Sequence, residues 1–389
     1  MMNLILFLAM VFLLTFLIGR LLEKIRIPWI FSSLLIGLGL AAYNPFKDIT
    51  SSSAFIFLAQ LGMYFLLFII GFEINLDEIL KKKGFIIRTT AAIISAESFF
   101  GALLVHYLFG VSWFISILVA LSFATVGEAI LLPILDEFKL TRRRLGQTIL
   151  GIGVLDDVVE VITIVVLTVV LGLNVGHTST KIYVTIGILL GLFISAYLLT
   201  KLKNRAAKIH FEGVASFFLF VVFFIFAFIG IGLLAEAAAL GALLAGMALR
   251  NFIPKKKWGV IDSEVRTMAY GFFAPMFFLW VGVDTDVSYL VKFPLYVLAV
   301  VALTNITKIC VSYLVGKKEV GKKKAIIMGI SLTVKFSTSI VIIKLLFENG
   351  LIPSALYSVL VGATILFQFV VPFVLSYLIK HWRINRKNA

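Results

Sequence analysis

Charge is scarce in this chain. Asp, Glu, Lys and Arg supply 14% of its 389 residues, where a water-soluble domain carries about a quarter. Cysteine occurs once, at Cys310, which excludes an intrachain disulfide and leaves no thiolate cluster for a metal. Histidine occurs four times, at His106, His177, His210 and His381. With His210 and His381 in polar segments, no imidazole cluster forms. No cofactor is expected. Polar stretches of domain size are also missing, so no soluble domain is expected before, between or after the apolar runs.

Those runs are what the chain has in abundance. It is 61% hydrophobic, with 37 phenylalanines and a mean hydropathy of +1.10. A polytopic membrane protein is the class that fits. Runs of about 20 apolar residues predict thirteen helices, at 3–20, 28–42, 53–72, 84–109, 111–135, 145–172, 180–200, 211–231, 234–250, 265–283, 290–316, 324–347 and 354–379. The first lacks a basic leader and a small-residue cleavage site, so it reads as a retained span rather than a signal peptide.

The net charge of +15 and a pI near 9.8 raise the question of nucleic acid, and the placement of the basic residues answers it. All but six of the 35 Lys and Arg lie on alternate loops facing one side. Only Lys47, Lys181 and Lys292 lie on the other side, and Lys308, Lys335 and Lys344 are within spans. The positive-inside rule then puts the N-terminus outside and the C-terminus in the cytoplasm, as expected in a cell (inner or plasma) membrane. The basic excess marks orientation and contact with membrane lipid, with no nucleic acid among the expected partners.

Seven ionisable residues sit well inside spans: Glu97, Glu128, Asp156, Asp157, Glu160, Lys308 and Lys335. Each costs at least about 2–3 kcal/mol at a helix centre, so each needs a partner or a watery cavity. At 1.5 Å of rise per residue, Asp156 and Lys335 lie about 16 Å from the cytoplasmic end, Lys308 about 14 Å and Glu128 about 12 Å. Matched depths predict two pairs, Asp156–Lys308 and Glu128–Lys335. Neighbours on a helix point about 100° apart, so one aspartate faces the lysine and the other a solvent cavity. A desolvated carboxylate binds either a proton or a small cation, each excluding the other. Glu160, one turn beyond Asp156, either lines the same cavity or bonds a hydroxyl; Glu97 is open between cavity and structure. Lys344 and Glu348 read as a structural i, i+4 pair.

Two spans look broken. LSFATVGEAILLPIL surrounds Glu128 with Ser122, Thr125, Gly127 and Pro133, and GISLTVKFSTSIVI surrounds Lys335 with Gly329, Ser331, Thr333, Ser337, Thr338 and Ser339. They are seven helices apart and so run in opposite directions, as in an inverted-topology repeat with its site at the midplane. Half-helix ends of like sign facing each other explain a charged residue in each break. In LGALLAGMAL, Gly241 and Gly246 read as close helix packing rather than a phosphate loop.

With these residues in view, the chain resembles the monovalent cation:proton antiporter-2 family, in its two-aspartate, electrogenic sodium/proton branch. The resemblance rests on LGMYFLLFIIGFEINL (Leu61–Leu76), LSFATVGEAILLPIL, GIGVLDD, AEAAALGALLAGMAL (Ala235–Leu249), FFAPMFFLWVGVDTDV (Phe272–Val287) and the late lysine Lys308. It implies an all-α fold of about thirteen transmembrane helices in a homodimer, with an inverted repeat and two discontinuous crossing helices. One membrane domain, 1–389, would contain a mobile core (84–172 and 290–380), a scaffold (1–83 and 205–289) and a linker helix (173–204), moving like an elevator. It implies Asp157 as the principal carboxylate for Na+ and H+, Asp156 as the partner of Lys308, and two protons exchanged for one sodium ion. Thr125, Glu128, Lys335 and Ser337 would support the helix breaks. Two features depart from the family: Glu128 stands where a small or hydroxyl residue is usual, and VKFS replaces an Arg/Gly-Glu element. The nucleotide-binding regulatory domain of potassium-efflux relatives is not expected, because no polar stretch of domain size follows the last apolar run.

Other readings make different demands. Electroneutral exchange, or exchange preferring K+, uses the same carboxylates, and Li+ is expected as a second substrate beside Na+. A passive channel needs no proton coupling. An intramembrane aspartyl protease needs its carboxyls on separate helices, and here Asp156 and Asp157 are neighbours. The chain is therefore not expected to be an enzyme.

Overall fold

A computed structural model describes residues 3–25, 27–73, 84–127, 131, 134–135, 138–141, 143–174, 179–201, 214–235, 237–253, 259, 261–335, 337–382 and 384. Among the described residues the secondary structure is helical throughout. The helices are α1 Leu4–Lys24, α2 Phe31–Ala42, α3 Ser53–Glu73, α4 Gly84–Phe109 and α5 Trp113–Ala124. They continue with α6 Arg144–Asn174, α7 Ser179–Lys201, α8 Val214–Leu233, α9 Ala238–Phe252 and α10 Ala274–Val283. After the short helix Val287–Lys292 come α11 Pro294–Gly316, α12 Lys322–Ser331, α13 Ser337–Glu348 and α14 Ser354–His381. Six of them (α1, α3, α4, α8, α11 and α14) are long and apolar enough to cross a membrane by length and composition.

The chain divides into two compact units, 1–12 with 46–74 and 161–280, and 13–45 with 75–160 and 281–389. In the first, α3 and α9 pack with backbones almost touching. A Cβ on Gly246 would lie 2.1 Å from the carbonyl oxygen of Phe68, so only glycine fits there, the small-residue packing that membrane helices use. Phe65 of α3 stacks on Phe273 with ring centroids 4.7 Å apart. Two π-helical stretches, Ile261–Val265 and Ala269–Phe273, precede α10 and widen the turn locally.

The second unit contains the two interrupted spans. The first runs as α5 to Ala124, where Thr125 turns the backbone extended at φ −71° and ψ 164°. The second ends as α12 at Ser331 and resumes as α13 at Ser337. Between these ends the Gly127 N–H donates to the Val334 carbonyl at 2.7 Å, so the two breaks cross and bond to each other. Helix α11 reaches the crossing because α12 lets it approach: a Cβ on Gly329 would lie 2.6 Å from the Ile309 Cα. In α14, Pro372 cannot donate to the carbonyl of Gln368, so this helix too has a loosened turn near the crossing.

Candidate functional site

A helix that stops in an apolar interior leaves its last carbonyls without donors, and its C-terminal end carries partial negative charge. The crossing presents two such ends, α5 and α12, and two lysines supply what they lack. Lys308 of α11, fully buried, donates to the carbonyls of Ala124 at 2.6 Å, Thr125 at 3.3 Å and Leu332 at 2.6 Å. It therefore caps both broken helices at once. Lys335, also fully buried, donates to the Thr125 carbonyl at 2.9 Å and to the Phe123 carbonyl, and lies 5.1 Å from the Phe123 ring centroid. Its own carbonyl accepts from the Gln368 side-chain amide. A hydroxyl pair, Thr125 with Ser339 at 2.7 Å, adds a side-chain link between the two breaks.

The acid that meets these lysines is Glu97 of α4. Its Oε2 is 3.3 Å from the Lys308 ammonium and its Oε1 is 3.5 Å from that of Lys335. The residue is 3% exposed, and neither oxygen makes an aligned hydrogen bond. The pairing formed is therefore Lys308–Glu97 rather than the expected Asp156–Lys308. The physical reason is the shape of the crossing, which turns the Lys308 ammonium toward the carbonyls at the helix ends, within 3.3 Å of Glu97. The expected Glu128–Lys335 pair cannot be traced, because Glu128 lies outside the described residues. Ser337 begins α13, and its side chain is likewise outside them.

The aspartates stand on α6 beside this cationic centre. Asp156 is 2% exposed, with the Val126 backbone N–H directed at its carboxylate and the charges of Lys308, Lys335 and Glu97 close by. Its Oδ2 has no hydrogen-bond partner. Asp157 is partly exposed. Glu160, one turn on, is buried beside the hydroxyls of Thr125 and Thr338. Two adjacent carboxylates, one sunk into protein with an unsatisfied oxygen and one reachable, can hold a proton or a desolvated monovalent cation in turn.

Sequence reasoning missed the carbonyls of Phe123, Ala124 and Leu332, together with Gln368, as parts of this site, while Ser339 was among the hydroxyls marked around Lys335. Gln368 carried a signal, as the only amide in the apolar run TILFQFVVPF.

Residues 10–381 match the family described as sodium/hydrogen exchanger, transmembrane. The chain belongs to the sodium/hydrogen exchanger family. It is a multi-pass membrane protein of a cation:proton antiporter family. It is 27% identical over 380 residues to the probable Na(+)/H(+) antiporter 3 of Methanocaldococcus jannaschii, covering 93% of each chain. It is 24% identical over 332 residues to a Na(+)/H(+) antiporter of Enterococcus hirae, covering 83% of this chain and 84% of the relative. The solved structure of the sodium proton antiporter MjNhaP1 from M. jannaschii at pH 8 aligns with a TM-score of 0.62 at 17% identity. That alignment covers 98% of this exchanger-family chain and 96% of the other, and it establishes the shared fold.

Proposed function

We propose that this protein exchanges protons for Na+, with Li+ as a second substrate, across a cell membrane, and that the exchange is electrogenic. Asp157 is the principal binding carboxylate and Asp156 its neighbour in the same site. The observation that carries the reading is the pairing of Lys308 with Glu97 and with two helix ends, beside a buried Asp156 whose Oδ2 has no hydrogen-bond partner. With the lysines occupied elsewhere, the charge arithmetic is short. Two protonated aspartates carry no charge, and two ionised aspartates with one Na+ carry −1. A cycle that returns two protons for one sodium ion therefore moves one net charge, worth about 2.3 kcal/mol per 100 mV of membrane potential.

We further propose that the family's dimeric, elevator-type cycle operates here. The core of 84–172 and 290–380 moves against the scaffold of 1–83 and 205–289 through the linker 173–204. The N-terminus is outside and the C-terminus cytoplasmic. The placement of Glu97, Thr125, Asp156, Asp157, Lys308 and Lys335 within one compact unit supports a site that moves as a body.

The test uses proteoliposomes holding a lumenal pH dye, with potential clamped by K+ and valinomycin. External Na+ or Li+ is expected to drive proton movement whose rate changes with the imposed potential. Flux indifferent to potential would replace this reading with one-for-one exchange. A response to K+ alone would reassign the substrate, and a steady conductance without proton movement would make the protein a channel.

A further inference from the structure

Glu97 is a buried charge that the exchange reaction itself does not use. It stands on α4, and each of its oxygens faces a different ammonium: Lys308 from α11 at 3.3 Å and Lys335 from the α12–α13 break at 3.5 Å. Two ammoniums drawn to the same carbonyl, that of Thr125, repel each other. One carboxylate between them offsets that repulsion. Among the described residues, the remaining charges around the crossing are Asp156, Asp157 and Glu160, all on α6. Helix α14 contributes only the neutral Gln368, and α5 contributes backbone.

Because Asp156 already lies in the field of both lysines, it is the acid to which Lys308 would turn if Glu97 were neutral. An Asp156 held by a lysine has its charge already compensated, so a cation gains less by binding it. We infer that Glu97 is a positioning residue: it anchors Lys308 and Lys335 at the crossing and so keeps Asp156 available to the transported cation. This rests on the reading of the α6 aspartates as the exchange site and adds what sets their affinity. The signal was present in the sequence as an unassigned acid within a span.

The experiment reads cation binding without requiring transport. Binding of 22Na+ to purified protein is measured by scintillation proximity for the wild type, Glu97→Gln and Glu97→Asp. Glu97→Gln is expected to weaken Na+ binding about tenfold, the scale of a one-unit change in a carboxylate's ion affinity. Glu97→Asp, which keeps the charge but shortens the reach, should fall between the two. In proteoliposomes the KM for Na+ should rise in step, with the maximal rate largely kept, a split that mere loss of folded protein does not produce. If Glu97→Gln does not fold, Glu97→Asp decides alone. Wild-type affinity in whichever variant folds overturns the assignment, as does a wild-type protein that binds no Na+. Wild-type binding without proton flux would instead count against the antiport reading and leave this one standing.

Discussion

Glu97 Oε2 lies 3.3 Å from the Lys308 ammonium, which in turn donates at 2.6 Å to carbonyls at the ends of two different broken helices. The lysine is thus held both by backbone carbonyls and by a carboxylate. Asp156 of α6, one of the two proposed transport acids, lies in the field of this centre, while the lysine's ion pair is to Glu97. That separation is the basis for what substitutions on α6 and on α11 should do.

Asp157→Asn removes the more accessible of the two carboxylates. Without it neither a proton nor a cation has a titratable oxygen at the reachable position, and exchange should fall to background. Proton flux in proteoliposomes, compared with empty vesicles, checks this, and full activity in the variant sinks the central assignment.

Asp156→Asn should behave differently. One carboxylate then remains, so the cation-loaded and proton-loaded forms carry the same charge. Exchange is expected to continue as one proton for one cation and to lose its dependence on imposed potential, as read in the same vesicles at two clamped voltages. Voltage-sensitive flux in this variant would show that the second moving charge is carried elsewhere.

Much of this was legible in the sequence. The spans LSFATVGEAILLPIL and GISLTVKFSTSIVI were marked as broken by Thr125, Gly127, Gly329 and the run of hydroxyls, since such residues weaken a helix and offer alternative hydrogen bonds. Depth arithmetic brought Lys308, Lys335 and Asp156 to one level because rise per residue is fixed. What depth cannot supply is azimuth. Rotation about α4 and α11 is set by packing, such as the close approach at Gly329, and it turned Lys308 to Glu97. The roles of the Ala124 and Leu332 carbonyls were hidden for a related reason: backbone acceptors have no residue signature.

Lys308→Ala should be costly to the fold as well as to transport. It leaves the carbonyls of Ala124 and Leu332 without the donor they have here, and it removes one ammonium from a buried Glu97. Removing one partner of a buried ion pair costs about 3–5 kcal/mol. Thermal melting of purified protein in detergent should show a clear drop relative to the wild type, with Lys308→Arg retaining more of the stability. An unchanged melting temperature would mean that the crossing does not depend on this lysine.

Thr125→Ala tests the link between the two breaks more gently. The substitution deletes the buried hydroxyl pair with Ser339 at 2.7 Å and the bond to the Ser122 carbonyl at 3.1 Å, and each hydrogen bond of that kind contributes about 0.5–1.5 kcal/mol net. The Gly127–Val334 backbone bond and both lysine caps remain, so the protein should fold and bind Na+ with little loss of melting temperature. The same hydroxyl sits beside Glu160, however, and Ser339 loses its partner. Thr125→Ser keeps the hydroxyl and removes only a methyl group, so it should match the wild type in exchange rate, while Thr125→Ala should be slower. Equal rates in Thr125→Ala and Thr125→Ser would assign the position to packing, because the two variants differ only in the hydroxyl, which the site could then do without.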